Sequence, residues 1–253
     1  MRHLLLVLFL LPTARLYAFS DVDKFSFAQI VYSGNWNPRP SGIRRLLWEV
    51  EKRTSIDTTH PVEVRLSDEE ALRRSPLLYL TGDRALPTFS DLEVAHLRAH
   101  LQAGGLLFVD NSSTGSEAEL GGAFDRSVRQ LLRQLFPSRA LEHVADDHVL
   151  YKSFYLLHTP VGRVAAAPFL EAIFDPADRR ALVIYSQNDL GGAWARDSVG
   201  KWEYEVFPGG DQQREMAFRL GINLAMYTLC QDYKADQVHV PFILRRRKWQ
   251  PLP

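Results

Sequence analysis

Three short runs, residues 77–80 (LLYL), 106–109 (LLFV) and 181–185 (ALVIY), are apolar at every position. A strand with one face in water alternates apolar and polar side chains, so runs without alternation must be covered on both faces. That requirement points to a parallel sheet lying between helices. The intervening segments supply the cover. Ile43, Leu46, Leu47 and Val50 fall at i, i+3, i+4 and i+7, one stripe of a helix. Ser90 and Glu93 form a capping box, with Phe89 and Val94 at the staple positions and Gly104-Gly105 as the stop signal. Residues 27–32 and 62–66 read as further strands, and 124–135 as a helix ended before Pro137. Residues 211–229 predict a long helix, apolar nearly all round and therefore central, with Asp211 as its N-cap. Between 141 and 174 the pattern predicts short strands at 153–157 and 162–166 and a helical piece near 168–174.

The chain ends read differently. Arg2 and His3 precede an apolar run at 4–11, too short for a bilayer, and Leu16-Tyr17-Ala18 offers a cleavage site. Residues 1–18 are therefore expected to be a signal peptide, and 19–253 a single α/β domain, periplasmic or secreted, with a short basic tail at 245–248. Export would remove Arg2 and Arg15 and no acid, leaving a small acidic excess in a chain of 30 basic and 30 acidic residues. That balance argues against a nucleic-acid partner. A single cysteine excludes a disulfide framework, and Cys230, in an apolar helical stretch, is expected to be buried. No phosphate-binding or paired-histidine metal signature occurs, so no cofactor and no metal is expected.

Several stretches carry a family resemblance: 27–40 (FAQIVYSGNWNPRP), 104–112 (GGLLFVDNS), 124–129 (FDRSVR), 147–155 (DHVLYKSFY), 184–194 (IYSQNDLGGAW) and 237–246 (QVHVPFILRR). They resemble the bacterial domain-of-unknown-function family 4159, whose members are exported proteins. The resemblance implies a flavodoxin-like three-layer sandwich similar to class I glutamine amidotransferases. It also implies an envelope partner from a MoxR-type ATPase or von Willebrand-type membrane system. Those amidotransferases carry a cysteine on the turn after a central strand. The matching turn here is Asp110-Asn111-Ser112, without a cysteine, so cysteine-dependent glutamine hydrolysis is not expected. Ser112 or Ser113 could stand in its place, but the G-x-S-x-G pattern is absent.

Ligands of open α/β sheets bind beyond the carboxyl ends of the strands. Three strand exits here are rich in amides and carboxylates: Asn35-Trp36-Asn37, Asp110-Asn111, and Asn188-Asp189 followed by Trp194. Sharing one edge, they would suit a hydroxyl-rich, sugar-like ligand, with the Trp rings stacking on its apolar face. The same residues are also ordinary turn formers. The expected function is a non-catalytic exported module that binds such a ligand or an envelope partner. The alternative is a hydrolase of glycosidic or amide bonds using Asp110, Asp189 and His148.

Overall fold

The computed structural model describes residues 24–113 and 122–231. The expected signal peptide and the basic tail lie outside the described residues. Seven strands form one sheet: β1 (Ala28–Ile30), β2 (Val62–Val64), β3 (Leu77–Gly82), β4 (Leu106–Asn111), β5 (Glu142–His143), β6 (Glu171–Phe174) and β7 (Ala181–Ser186). Their order is β2-β1-β3-β4-β7-β6-β5. The first five of that order run parallel, while β6 and β5 add an antiparallel edge.

The apolar runs do what their composition requires. β3, β4 and β7 are buried at every residue, and successive side chains enter opposite cores. Leu77, Tyr79, Leu106 and Phe108 pack into one core with α1 (Gly42–Arg53), α5 (Leu190–Trp194) and α6 (Gly210–Gln231). Leu78, Leu80, Leu107 and Val109 pack into the other with α2 (Glu69–Arg73), α3 (Asp91–Gln102) and α4 (Ala123–Leu135). The α1 stripe is fully buried, and the capping box of α3 forms in both directions, with Ser90 accepting from the Glu93 amide at 3.3 Å. Among the described residues no helix is long and apolar enough to cross a membrane.

Several expectations are corrected. No strand forms at 153–157 or 162–166, and the expected helical piece is instead strand β6. Glu171, at the start of β6, is buried because Arg129 of α4 grips both its carboxylate oxygens, a long-range pairing invisible to local pattern. Asp211 lies inside the first turn of α6 rather than capping it. The amide of Gly209 is satisfied instead by Gln213 Oε1 at 2.9 Å. Cys230 is exposed, because α6 has by then run past the edge of the core.

At the turn from α3 into β4, His100 lies so close over Gly105 that a Cβ there would sit 2.0 Å from His100 Nε2. His100 is buried, its Nε2 has no partner, and Arg180 donates nearby to Leu101 O and Gly105 O at 2.9 and 3.1 Å. Burial first, and the Arg180 charge second, push its pKa down to about 4. The unfolded chain takes up that proton near pH 6.5, the folded chain only near 4. Its contribution to stability is therefore full above pH 6.5 and is lost as pH falls towards 4, by up to about 3 kcal/mol. Urea unfolding of His100→Gln and the parent between pH 7 and 4 is expected to show a shallower loss in the variant.

Candidate functional site

The exits of β1, β3, β4 and β7 meet at one edge of the sheet, as their parallel direction requires. They are stitched together by polar contacts. Tyr32 donates to Thr81 O at 2.8 Å, Asn35 Nδ2 to Asp83 Oδ2 at 3.0 Å, and Arg39 Nη2 to Ser112 O at 3.2 Å. The Thr81 and Ser112 hydroxyls lie 2.9 Å apart.

At the centre stand Asp110 and Asp189, both with no exposed surface. A helix leaves its first amides without intrahelical partners, and these two carboxylates take the first three of α5. Asp110 Oδ1 accepts from Leu190 N at 2.9 Å and its Oδ2 from Gly191 N at 2.8 Å, while Asp189 Oδ1 accepts from Gly192 N at 3.0 Å. Tyr79 adds a third bond to Asp110 Oδ2 at 3.1 Å. Asp189 occupies the left-handed region at φ 50°, which Asp tolerates better than most residues. Its carboxylate is so close to the α5 backbone that a Cβ on Gly192 would lie 2.5 Å from Oδ2. The Gly191-Gly192 pair is thus a packing requirement of the cap.

Two arginines balance the pair. Arg39 donates to both oxygens of Asp189, the shortest contact being 2.9 Å from Nη2, and lies over the Tyr204 ring at 4.1 Å. Arg163 Nε also bonds Asp189 Oδ2. Burial is the largest single influence and works against the Arg39 charge, but the Asp189 hydrogen bonds, the Asp189 charge and Tyr204 together outweigh it and hold its pKa above the usual arginine value. Asp110 responds in the other direction. Burial, then the charge of Asp189, push its pKa up to about 7, against the pull of the Gly191 and Leu190 amides.

A second buried network fills the opposite side of the β4 and β7 ends. Asn111 Nδ2 donates to Gln187 Oε1 at 2.8 Å, and Gln187 Nε2 to Asp125 Oδ1 at 2.7 Å. Asp125 also accepts from Tyr185 at 3.1 Å and from Arg129. Asn188 is saturated: Nδ2 donates to Pro160 O and Ala167 O at 2.9 and 2.8 Å, and Oδ1 accepts from Ala167 N at 2.9 Å.

The expected site residues therefore separate into three groups. Asn35 is exposed, and Trp36 and Asn37 are half-buried at the β1 exit. Asp110, Asn111, Asn188 and Asp189 are at the same edge but buried in internal networks. Trp194 and His148 belong elsewhere, and both expectations are corrected. Trp194 has no exposed surface and donates from Nε1 to Ala217 O at 2.9 Å, so it is a core residue tying α5 to α6 rather than a stacking surface. His148 packs 5.5 Å from the rings of Phe174 and Tyr227, and the Tyr227 hydroxyl accepts from Ala181 N at 3.0 Å. That is the amino end of β7, about 17 Å of strand from its carboxyl end. His148 cannot join the two aspartates in one acid–base centre.

Sequence reasoning missed Arg39, Tyr79, Asp83, Arg163 and Gln187. Of these only Arg39, between Pro38 and Pro40 in an unusually rigid stretch, carried a local signal.

The profile of the family described as Domain of unknown function (DUF4159) matches residues 26–229. The chain belongs to that family. The match spans all seven strands and nearly all of α6, so the polar edge lies wholly within the family's shared region. A search of the curated proteins finds no match.

Removing one partner of a buried ion pair leaves the others uncompensated, at a cost of about 3–5 kcal/mol. Asp189→Ala, which strands Arg39 and Arg163, is expected to lower the unfolding free energy by that amount in urea titration.

Proposed function

We propose that this DUF4159 protein is an exported, non-catalytic module that binds a polar, sugar-like ligand or an envelope partner at the carboxyl edge of its sheet. Export rests on the signal-like features of residues 1–18, and a periplasmic or secreted location follows from it. A MoxR or von Willebrand-type partner rests on the family resemblance alone. The fold we read as flavodoxin-like, akin to class I glutamine amidotransferases. Its five parallel strands run 2-1-3-4-5 when counted among themselves, with α1, α5 and α6 on one face and α2, α3 and α4 on the other. In that arrangement the order reverses between β1 and β3, where ligands of such sheets bind.

The observation that carries the non-catalytic reading is the engagement of the carboxylates. A general acid or base must reach the proton it transfers. Asp110 spends its oxygens on two amides and a phenol, and Asp189 on an amide and two guanidinium groups, and both carboxylates are out of contact with solvent. One observation favours the hydrolase alternative: the Asp110 pKa near 7 suits acid–base work at neutral pH. The same value follows from burial beside Asp189 in a purely structural cap.

Purified residues 19–253 incubated with immobilised cell-wall and polysaccharide material separate the two readings. Retention without release of soluble fragments is expected. Fragment release that disappears in Asp110→Asn, while that variant stays folded, would establish the hydrolase.

A further inference from the structure

The start of α1 breaks a local rule. The first turn of a helix favours acids, because its amides carry partial positive charge. α1 has no acid there, and places Arg44 in that turn and Arg45 just after it. Both line an open cavity of about 460 Å³, together with Ser41, Trp48 and, from the segment after α5, Arg196 and Glu203. A second cavity of the same volume shares Arg44 and Trp48 and continues past Leu47 to Thr58 and Pro61. Trp48, one turn after Arg44, is thus a ridge between two hollows on the flank of α1, and it is 46% exposed. Val199, between the lining residues Ser198 and Gly200, is 77% exposed, and Trp202, whose ring lies 5.0 Å from the Arg196 guanidinium, is 39% exposed.

Charge in this groove is unevenly matched. Three arginines face two acids in the first cavity. Asp197 Oδ1 accepts from the amides of Val199 and Lys201 at 3.0 and 2.7 Å, and Glu203 Oε1 from the Ser41 hydroxyl at 2.5 Å. In the second, Glu51 Oε2 accepts from the Thr58 hydroxyl at 2.9 Å. Arg45 is paired with Glu49. Among the described residues, however, Arg44 makes no hydrogen bond or ion pair, and Arg196 bonds the Gly200 carbonyl but no carboxylate. The unmatched groups are therefore two accessible guanidinium groups at the rim of an exposed indole.

We propose that this groove on α1 is the docking surface for an acidic segment of a partner protein, whose carboxylates meet Arg44 and Arg196 while an apolar side chain lies on Trp48. The proposal rests on the reading of this protein as a partner-binding module, and extends the contact from the strand ends to the flank of α1. Guanidinium groups take carboxylates in paired hydrogen bonds, and Trp and Arg are the residues that carry most interface energy. Two hollows in line across one indole suit an extended chain better than a compact ligand. The chain's own basic run at 245–248 has the wrong charge to fill them.

The test is fluorescence anisotropy of a labelled decapeptide of Glu with Leu at every third position, and of its Gln counterpart, titrated with the purified protein. The Glu peptide is expected to bind, more weakly as salt is raised, and the Gln peptide not. Arg44→Glu and Trp48→Ala are each expected to weaken binding about tenfold or more. Arg44→Glu should not lower the unfolding temperature, because Arg44 makes no internal bond and an acid suits the first turn of a helix; this keeps the test independent of folding. Equal binding of the Gln peptide, binding unmoved by both substitutions, or no peptide binding overturns the groove. So does co-sedimentation with phosphatidylglycerol vesicles without peptide binding, which would assign this face to a membrane. Dimerisation in sedimentation velocity that Trp48→Ala abolishes would assign it to a second copy and overturn the proposal likewise. The wider reading as a binding module fails separately, on fragment release from polysaccharide.

Discussion

The carboxyl edge of this sheet depends on a buried cluster in which Asp110 and Asp189 cap α5 while Arg39 and Arg163 neutralise Asp189. Each partner comes from a different part of the chain: the loop after β1, the end of β4, the irregular stretch before β6, and the turn after β7. No single local signal could hold these pieces in register. Charges out of water are expensive unless paired and hydrogen-bonded. The cluster therefore exists only in one arrangement of the four segments, and that arrangement places the β1, β3 and β4 exits side by side. The short α5 gains its stability from the same contacts. A helix of five residues has too few internal bonds to stand alone. Its amides are satisfied by side chains from the end of β4 and the turn after β7, and its Trp194 is locked beneath α6.

The cluster also accounts for the division of the edge into a saturated half and an unsaturated one. Around β4 and β7, carboxylates, amides and guanidinium groups consume one another. Around β1 and β3, the loops are held by side-chain bonds from Tyr32, Asn35 and Arg39, and the Asn37 and Asp83 Oδ1 atoms are left without a partner.

Much of the fold was legible in the sequence because it rests on short-range patterning. The apolar runs at β3, β4 and β7, the α1 stripe and the α3 capping box each required only neighbours along the chain. The misreadings share a cause. Between 141 and 174 the chain follows the shape of the core it covers, and β6 forms because β7 offers an edge and Arg129 neutralises Glu171. The edge residues were legible as turn formers with polar side chains, but their saturation was not. Whether an aspartate faces solvent or two arginines depends on residues such as Arg39, 150 positions away from its partner Asp189. Trp194 and His148 were misplaced for the same reason. Proximity in sequence to a strand said nothing of which end of the sheet, or which layer, would receive the ring.

The central claim is that Asp110 and Asp189 support the edge from within and do not meet substrate. Carboxyl-selective carbodiimide labelling of the folded chain, read residue by residue by mass spectrometry, tests it most directly. Exposed acids such as Asp211 should label readily, while Asp110 and Asp189 stay unmodified until the chain unfolds. Labelling of either aspartate at a rate comparable to Asp211 under native conditions would contradict the account and return both residues to candidacy as catalytic groups.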